Sequence, residues 1–127
     1  MKPIYLDNNA TTRVDPAVVD AMLPFFTEHF GNASSIHAFG SEVGKALKKA
    51  RSQVQALLGA EHDSEIIFTS CGTESDSTAI HSALKAQPDR NTVITTNVEH
   101  PAILTLCDWR EKEGYIVHKL KVDKKGR

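Results

Sequence analysis

The sequence predicts an α/β fold built around a largely parallel sheet. Three observations carry this expectation. Apolar residues recur at helical spacing over residues 41–58. β-Branched residues cluster in short runs such as TVITT at 92–96. The two kinds of segment then alternate to about residue 120, as they do when helices cover a parallel sheet. The 127 residues fit one modest domain or a piece of a larger one, and 40% apolar with 24% charged residues argues against disorder.

The elements follow in order. PIYLD is a short extended run, and NNATT is a loop. Asp15-Pro16 is an N-cap followed by proline at the first helical position. Val18, Val19, Met22, Phe25 and Phe26 then repeat at helical spacing, and Pro24 is expected to end or kink that helix. GNASS at 31–35 is a second loop. Ser41 is expected to cap a longer helix with Val43, Leu47, Ala50, Val54 and Leu57 on one stripe, stopped by Gly59. Glu65 to Thr69 has the length and apolar character of a strand, and a helix is expected over 73–86. After a loop at Pro88–Arg90, 92–96 is suited to a buried strand, His100-Pro101 opens a helix running to about Lys112, and YIVHKL at 115–120 is a third strand. VDKKGR is a turn.

Several function classes are excluded or disfavoured. A net charge of -1 gives no surface for a polyanion, so no nucleic-acid partner is expected, and the basic KLKVDKKGR stretch reads as a solvated face or chain end. No window approaches the ~18 apolar residues of a membrane span. MKPIYLDNN has no apolar core of a secretory signal. Cys71 and Cys107 have no partners at zinc-ligand spacing, so no metal site is expected and a reducing, cytoplasmic setting is the simplest inference.

FTSCGTESD at 68–76 joins the expected strand to a helix. A helix starting at Gly72 or Thr73 aims its free N–H groups and the positive end of its dipole past the end of the strand, where ligands of open α/β sheets sit. Ser70, Thr73 and Ser75 add hydroxyls, and Gly72 permits close approach of a ligand. These features suit an anion, a phosphate above all. An ordinary helix cap by Ser70 or Thr73 accounts for the same residues, with Glu74 and Asp76 as first-turn acids that would face away from any anion. The pattern matches neither GxxxxGK[ST] nor GxGxxG. Cys71 reads as a bystander, since no base neighbours it in sequence.

His100 follows the run TVITTNVE and precedes a helix-starting proline, so the loops 69–73 and 97–101 are expected to face one another across a crevice. A histidine there can stack on a planar ligand or move protons, or it can simply cap a helix. His29, His37, His62, His81 and His118 read as surface or packing residues.

The motifs YLDNNATTRVDP, FGNASSIHAFG, EIIFTSCGTESDSTAI and VEHPAIL, in this order, resemble the N-terminal third of cysteine desulfurases, and among them the kind that serves nitrogenase cluster assembly. The resemblance spans residues 4–127, with Ala33 where the family form FGNPSS has proline. It implies a homodimeric enzyme with the fold-type I large domain of pyridoxal 5'-phosphate (PLP) transferases, a three-layer α/β/α arrangement. Residues 1–15 would be an N-terminal segment and 16–127 the incomplete start of that domain. It further implies removal of sulfur from L-cysteine, giving L-alanine and an enzyme persulfide that supplies an iron–sulfur scaffold protein.

By the same resemblance, Gly72 and Thr73 match the turn that holds the PLP phosphate, and His100 matches the histidine that stacks on the cofactor ring and is placed for proton transfer. Asn8, Asn9 and Asn32 fall in loops near the active-site mouth, with no role assigned. The family's Schiff-base lysine, pyridine-nitrogen aspartate, substrate-carboxylate arginine and persulfide cysteine have no counterparts here. The chain is therefore expected to be an N-terminal fragment, inactive alone and prone to fold poorly or associate. Selenocysteine lyase, another fold-type I PLP enzyme, or a truncated non-catalytic module are the alternatives.

Overall fold

The computed structural model describes residues 3–127, so the first two residues of the expected 1–15 segment lie outside the described residues. The chain forms two compact units, one ending at Ile66 and the other beginning at Ile67.

The first unit is helical. The Asp15 carboxylate accepts from the Ala17 N–H at 2.8 Å and starts α1 (Pro16–Met22), with proline at the position where a missing N–H costs nothing. The break expected at Pro24 occurs, and α2 (Pro24–Thr27) follows Leu23 directly. The long helix α3 spans Ala38–Leu58 and ends at Gly59, whose φ of 70° is the left-handed conformation glycine adopts without a Cβ penalty.

The start of α3 differs from the expected cap at Ser41. The N-cap is His37, and Ser41 lies inside the helix. A Cβ on Gly40 would fall 2.4 Å from the Asn32 carbonyl oxygen and 2.5 Å from that of Ser35, so the GNASS loop packs closely on the first turn of the helix. Gly40 is buried accordingly.

The second unit is α/β. It contains α4 (Gly72–Ala86), β1 (Thr92–Thr96), α5 (Pro101–Lys112) and β2 (Ile116–Leu120). β1 and β2 pair in parallel with Thr92 opposite Ile116 and Thr96 opposite Leu120, joined through α5 as a βαβ unit. The Asn97 N–H extends the ladder by donating to the Leu120 carbonyl at 2.9 Å. An ion pair between Lys119 and Asp108 ties β2 to α5.

Two expectations for the strands are corrected. Residues 65–69 do not form a strand: a 3-10 turn covers Asp63–Glu65, and 66–69 follow without a ladder. A strand exists only with a hydrogen-bonded neighbour, and among the described residues the sheet comprises β1 and β2 alone. The Ile66 carbonyl is instead satisfied by the Arg51 guanidinium. β1 is not buried either, with Ile94 66% exposed.

The apolar core is small. Ile66, Leu106 and Cys107 are the buried hydrophobic residues among those described, whereas Phe26, Leu57 and Ile67 are exposed. The apolar stripe anticipated on α3 is thus present in sequence yet left partly uncovered, at Leu57 above all.

Candidate active site

The site of interest lies within the second unit, where α4 and α5 begin. A cavity of about 740 Å³ is lined from α4 by Thr73, Ser77 and His81, and from α5 by His100, Thr105 and Trp109, among others. This volume falls in the range of small-molecule and cofactor sites, roughly 300–1,000 Å³. The crevice expected between the two helix-initiating loops is therefore present, and Thr73 and His100 share it. Gly72 is not in its lining; it stands at the first position of α4, one residue before Thr73.

The start of α4 is built by its own loop. Cys71 is the N-cap, with extended backbone and no side-chain cap hydrogen bond of normal geometry. Neither Ser70 nor Thr73 caps the helix. Ser70 donates instead to Glu74, its N–H and Oγ lying 2.7 and 2.6 Å from Oε2. Glu74 therefore folds back onto Ser70, and it is not among the residues that line the cavity. The Ser70 hydroxyl and backbone hydrogen bonds hold its carboxyl below the usual carboxylate range. Thr69 Oγ1 and Ser75 Oγ lie 2.6 Å apart and pin the other side of the turn.

Cys71 is exposed, and its thiol lies below the usual range, chiefly because the Glu74 backbone N–H favours the thiolate, with help from the Ser70 hydroxyl at 3.8 Å. Cys107 is its opposite: 1% exposed on α5, with burial pushing its thiol up.

The start of α5 is closed differently. His100 is the N-cap, with extended backbone at φ −57° and ψ 145°, and Pro101 occupies the first helical position. The Ala102 N–H donates to His100 Nδ1 at 3.1 Å. His100 is thus a helix cap, one of the alternatives the sequence left open, and it also stands in the cavity wall.

At the far end of the wall, Arg110 is 7% exposed and donates to Glu113 Oε2 at 2.5 Å and to His81 Nδ1. Its guanidinium lies 5.4 Å from the Trp109 ring centroid. The pair His81–Arg110 was not singled out in the sequence, where His81 read as a surface or packing residue. A signal was present: 73, 77 and 81 are spaced by four on α4, and 102, 105, 106 and 109 by i, i+3, i+4 and i+7 on α5, which places each set on one helical face.

Among the described residues no group of three or more His, Cys, Asp or Glu side chains is placed to hold a metal ion, and no helix is long and apolar enough to cross a membrane.

Comparison with known proteins bears on this arrangement. The model of the aminotransferase class-V family matches residues 4–127. The chain belongs to the aminotransferase class-V family. Within it, cysteine desulfurase NifS of Azotobacter vinelandii is 76% identical over 127 residues, covering 100% of this chain and 32% of that protein. A cysteine desulfurase of Gluconacetobacter diazotrophicus is 66% identical over 128 residues, again with 100% and 32% covered. A NifS-like protein of known structure superposes with a TM-score of 0.84 at 39% identity, over 92% of this chain and 32% of that one. A structure of SspA in complex with cysteine gives a TM-score of 0.83 at 32% identity, over 91% and 33%. The chain spans about a third of the length of these relatives, and it is a partial form of their α/β fold.

Proposed function

We propose that the protein is a PLP-dependent cysteine desulfurase whose first third is this chain, producing L-alanine and an enzyme persulfide for iron–sulfur, and specifically nitrogenase, cluster assembly. The observation that carries the reading is the shared wall: Thr73, at the start of α4, and His100, at the start of α5, line one cavity of about 740 Å³. The whole-chain likeness to cysteine desulfurases supports the choice of chemistry.

The residues present fit the cofactor. An added Cβ on Gly72 would have no heavy atom within 4 Å, so the backbone there is open to an approaching group. The Cys71 side chain makes no cap hydrogen bond of normal geometry with the first turn of α4, and a helix N-terminus that begins in this way suits a phosphate. Gly72 would hold the phosphate through its backbone and Thr73 through backbone and hydroxyl. His100 would stand over the cofactor ring and present Nε2, since Nδ1 is engaged with Ala102. When bound, PLP withdraws electrons from the substrate amino acid and so eases loss of its Cα proton. Pro101, Ala102 and Leu106 form an apolar flank of this wall. Residues 16–127 would begin the cofactor-binding large domain, the enzyme would be a cytoplasmic homodimer, and an iron–sulfur scaffold protein would accept the sulfur.

The test uses the enzyme at the length of its relatives. An absorbance band of protein-bound PLP and stoichiometric alanine and sulfide from L-cysteine are expected. Absence of cysteine-dependent alanine from a PLP-loaded preparation, or faster turnover of selenocysteine alone, would overturn the assignment.

A further inference from the structure

His100 uses one ring nitrogen to build the fold, and this restricts what the other can do. The Ala102 N–H donates to Nδ1 at 3.1 Å, and a backbone N–H cannot become an acceptor. Nδ1 must therefore carry the lone pair. In the neutral ring the proton sits on Nε2, and the nitrogen left for the cavity is a donor.

A proton can enter such a ring only at Nδ1. There it would oppose the Ala102 N–H, which has no lone pair to accept it. Pro101 reinforces the arrangement, because it fixes the first helical position while contributing no N–H that could substitute for that of Ala102. Of the α5 first-turn donors, Ala102 is the one placed on Nδ1.

We propose that His100 serves the site as a hydrogen-bond donor through Nε2–H, its tautomer set by the first turn of α5. The acceptor it suits is an electron-rich oxygen or sulfur on the bound cofactor or amino acid. A base role at Nε2 requires the opposite tautomer and is incompatible with the cap. This inference rests on the cysteine-desulfurase reading for its acceptor, but not for the tautomer itself.

Two measurements on the enzyme at its relatives' length test it. Neutron diffraction from deuterated holoenzyme crystals should place a deuteron on His100 Nε2 and none on Nδ1; a deuteron on Nδ1 overturns the proposal. Hydrogen exchange across residues 100–106 should separate two variants. His100→Asn keeps a short side-chain acceptor of the kind preferred at an N-cap, whereas His100→Gln keeps a distal N–H and loses the cap. Exchange at the Ala102 amide should rise about fivefold in the glutamine variant, the factor corresponding to a cap of about 1 kcal/mol, and stay within about twofold in the asparagine variant. Equal exchange in both variants overturns the proposal. Loss of alanine production from the wild-type enzyme would defeat the functional reading while leaving both tautomer readouts intact, so the two failures are distinguishable.

Discussion

The helices α4 and α5 begin at the same cavity in opposite ways. α5 is closed by its own chain: proline at the first position and a histidine whose Nδ1 takes up the next N–H. α4 begins with glycine, and its N-cap is a thiol that makes no cap bond of normal geometry. The nearby acid, Glu74, is spent on Ser70. Under the proposed function the difference is one of purpose. A helix end that must only be stable is satisfied internally, whereas one that takes a ligand must leave donors and space, with the loop around it pinned by other bonds. In this account α4 supplies the anion site, and α5 supplies a side chain aimed at the same space.

The largest expected effect comes from the α5 side. Replacing His100 with alanine in the enzyme at its relatives' length should lower the rate of alanine formation by about 10²–10³-fold, the size associated with losing one positioned donor or proton-transfer group. An unchanged rate would remove His100 from the site. On the α4 side, Thr73→Val should weaken PLP binding by about tenfold, as expected for a lost hydrogen bond to a charged group. Gly72→Ala sharpens this comparison. Its new methyl meets no atom in the protein, so any loss of PLP affinity with an unchanged melting temperature points to the ligand rather than the fold.

Much of this contrast was legible in the residues. Asp15-Pro16, Gly59 and His100-Pro101 are local signals, each complete within a few residues, and each marks a helix end in the structure. TVITT forms β1 over the expected range. What was not legible depends on distant partners. Residues 65–69 carry strand composition, but a ladder needs a neighbour that composition cannot provide. α3 starts at Ala38 rather than after Ser41, and Asn32 and Ser35 pack on Gly40 in its first turn. His81 and Arg110 lie 29 residues apart, and only the fold brings them together. At the candidate site the sequence identified the two turns and the crevice between them. Of the alternatives for His100, the structure shows the helix cap, on an imidazole that also lines the cavity.

The two cysteines extend the comparison to reactivity. Cys71 at the mouth of α4 is exposed with its thiolate favoured, and Cys107 within α5 is buried with its thiol pushed up. Iodoacetamide at neutral pH should label Cys71 several-fold faster, with Cys107 reacting only on unfolding; equal rates would contradict the described packing of α5.

The smallest effect concerns the Ser70–Glu74 clasp. Glu74 is exposed, and its pKa is lowered in the fold, so its contribution is present above the unfolded value of about 4.3 and is lost as pH falls through the lower folded value. Ser70→Ala should therefore reduce stability slightly at neutral pH, with the difference from wild type vanishing at the acid end of the pH profile. A difference that grew on acidification would place the clasp elsewhere.

The central claim is that α4 holds the cofactor phosphate. A crystal structure of the enzyme at its relatives' length with PLP bound tests it directly. The phosphate oxygens should lie within hydrogen-bonding distance, about 2.7–3.2 Å, of the Gly72 or Thr73 N–H or the Thr73 hydroxyl, with the His100 ring over the cofactor. A phosphate seated away from the first turn of α4 would contradict the account.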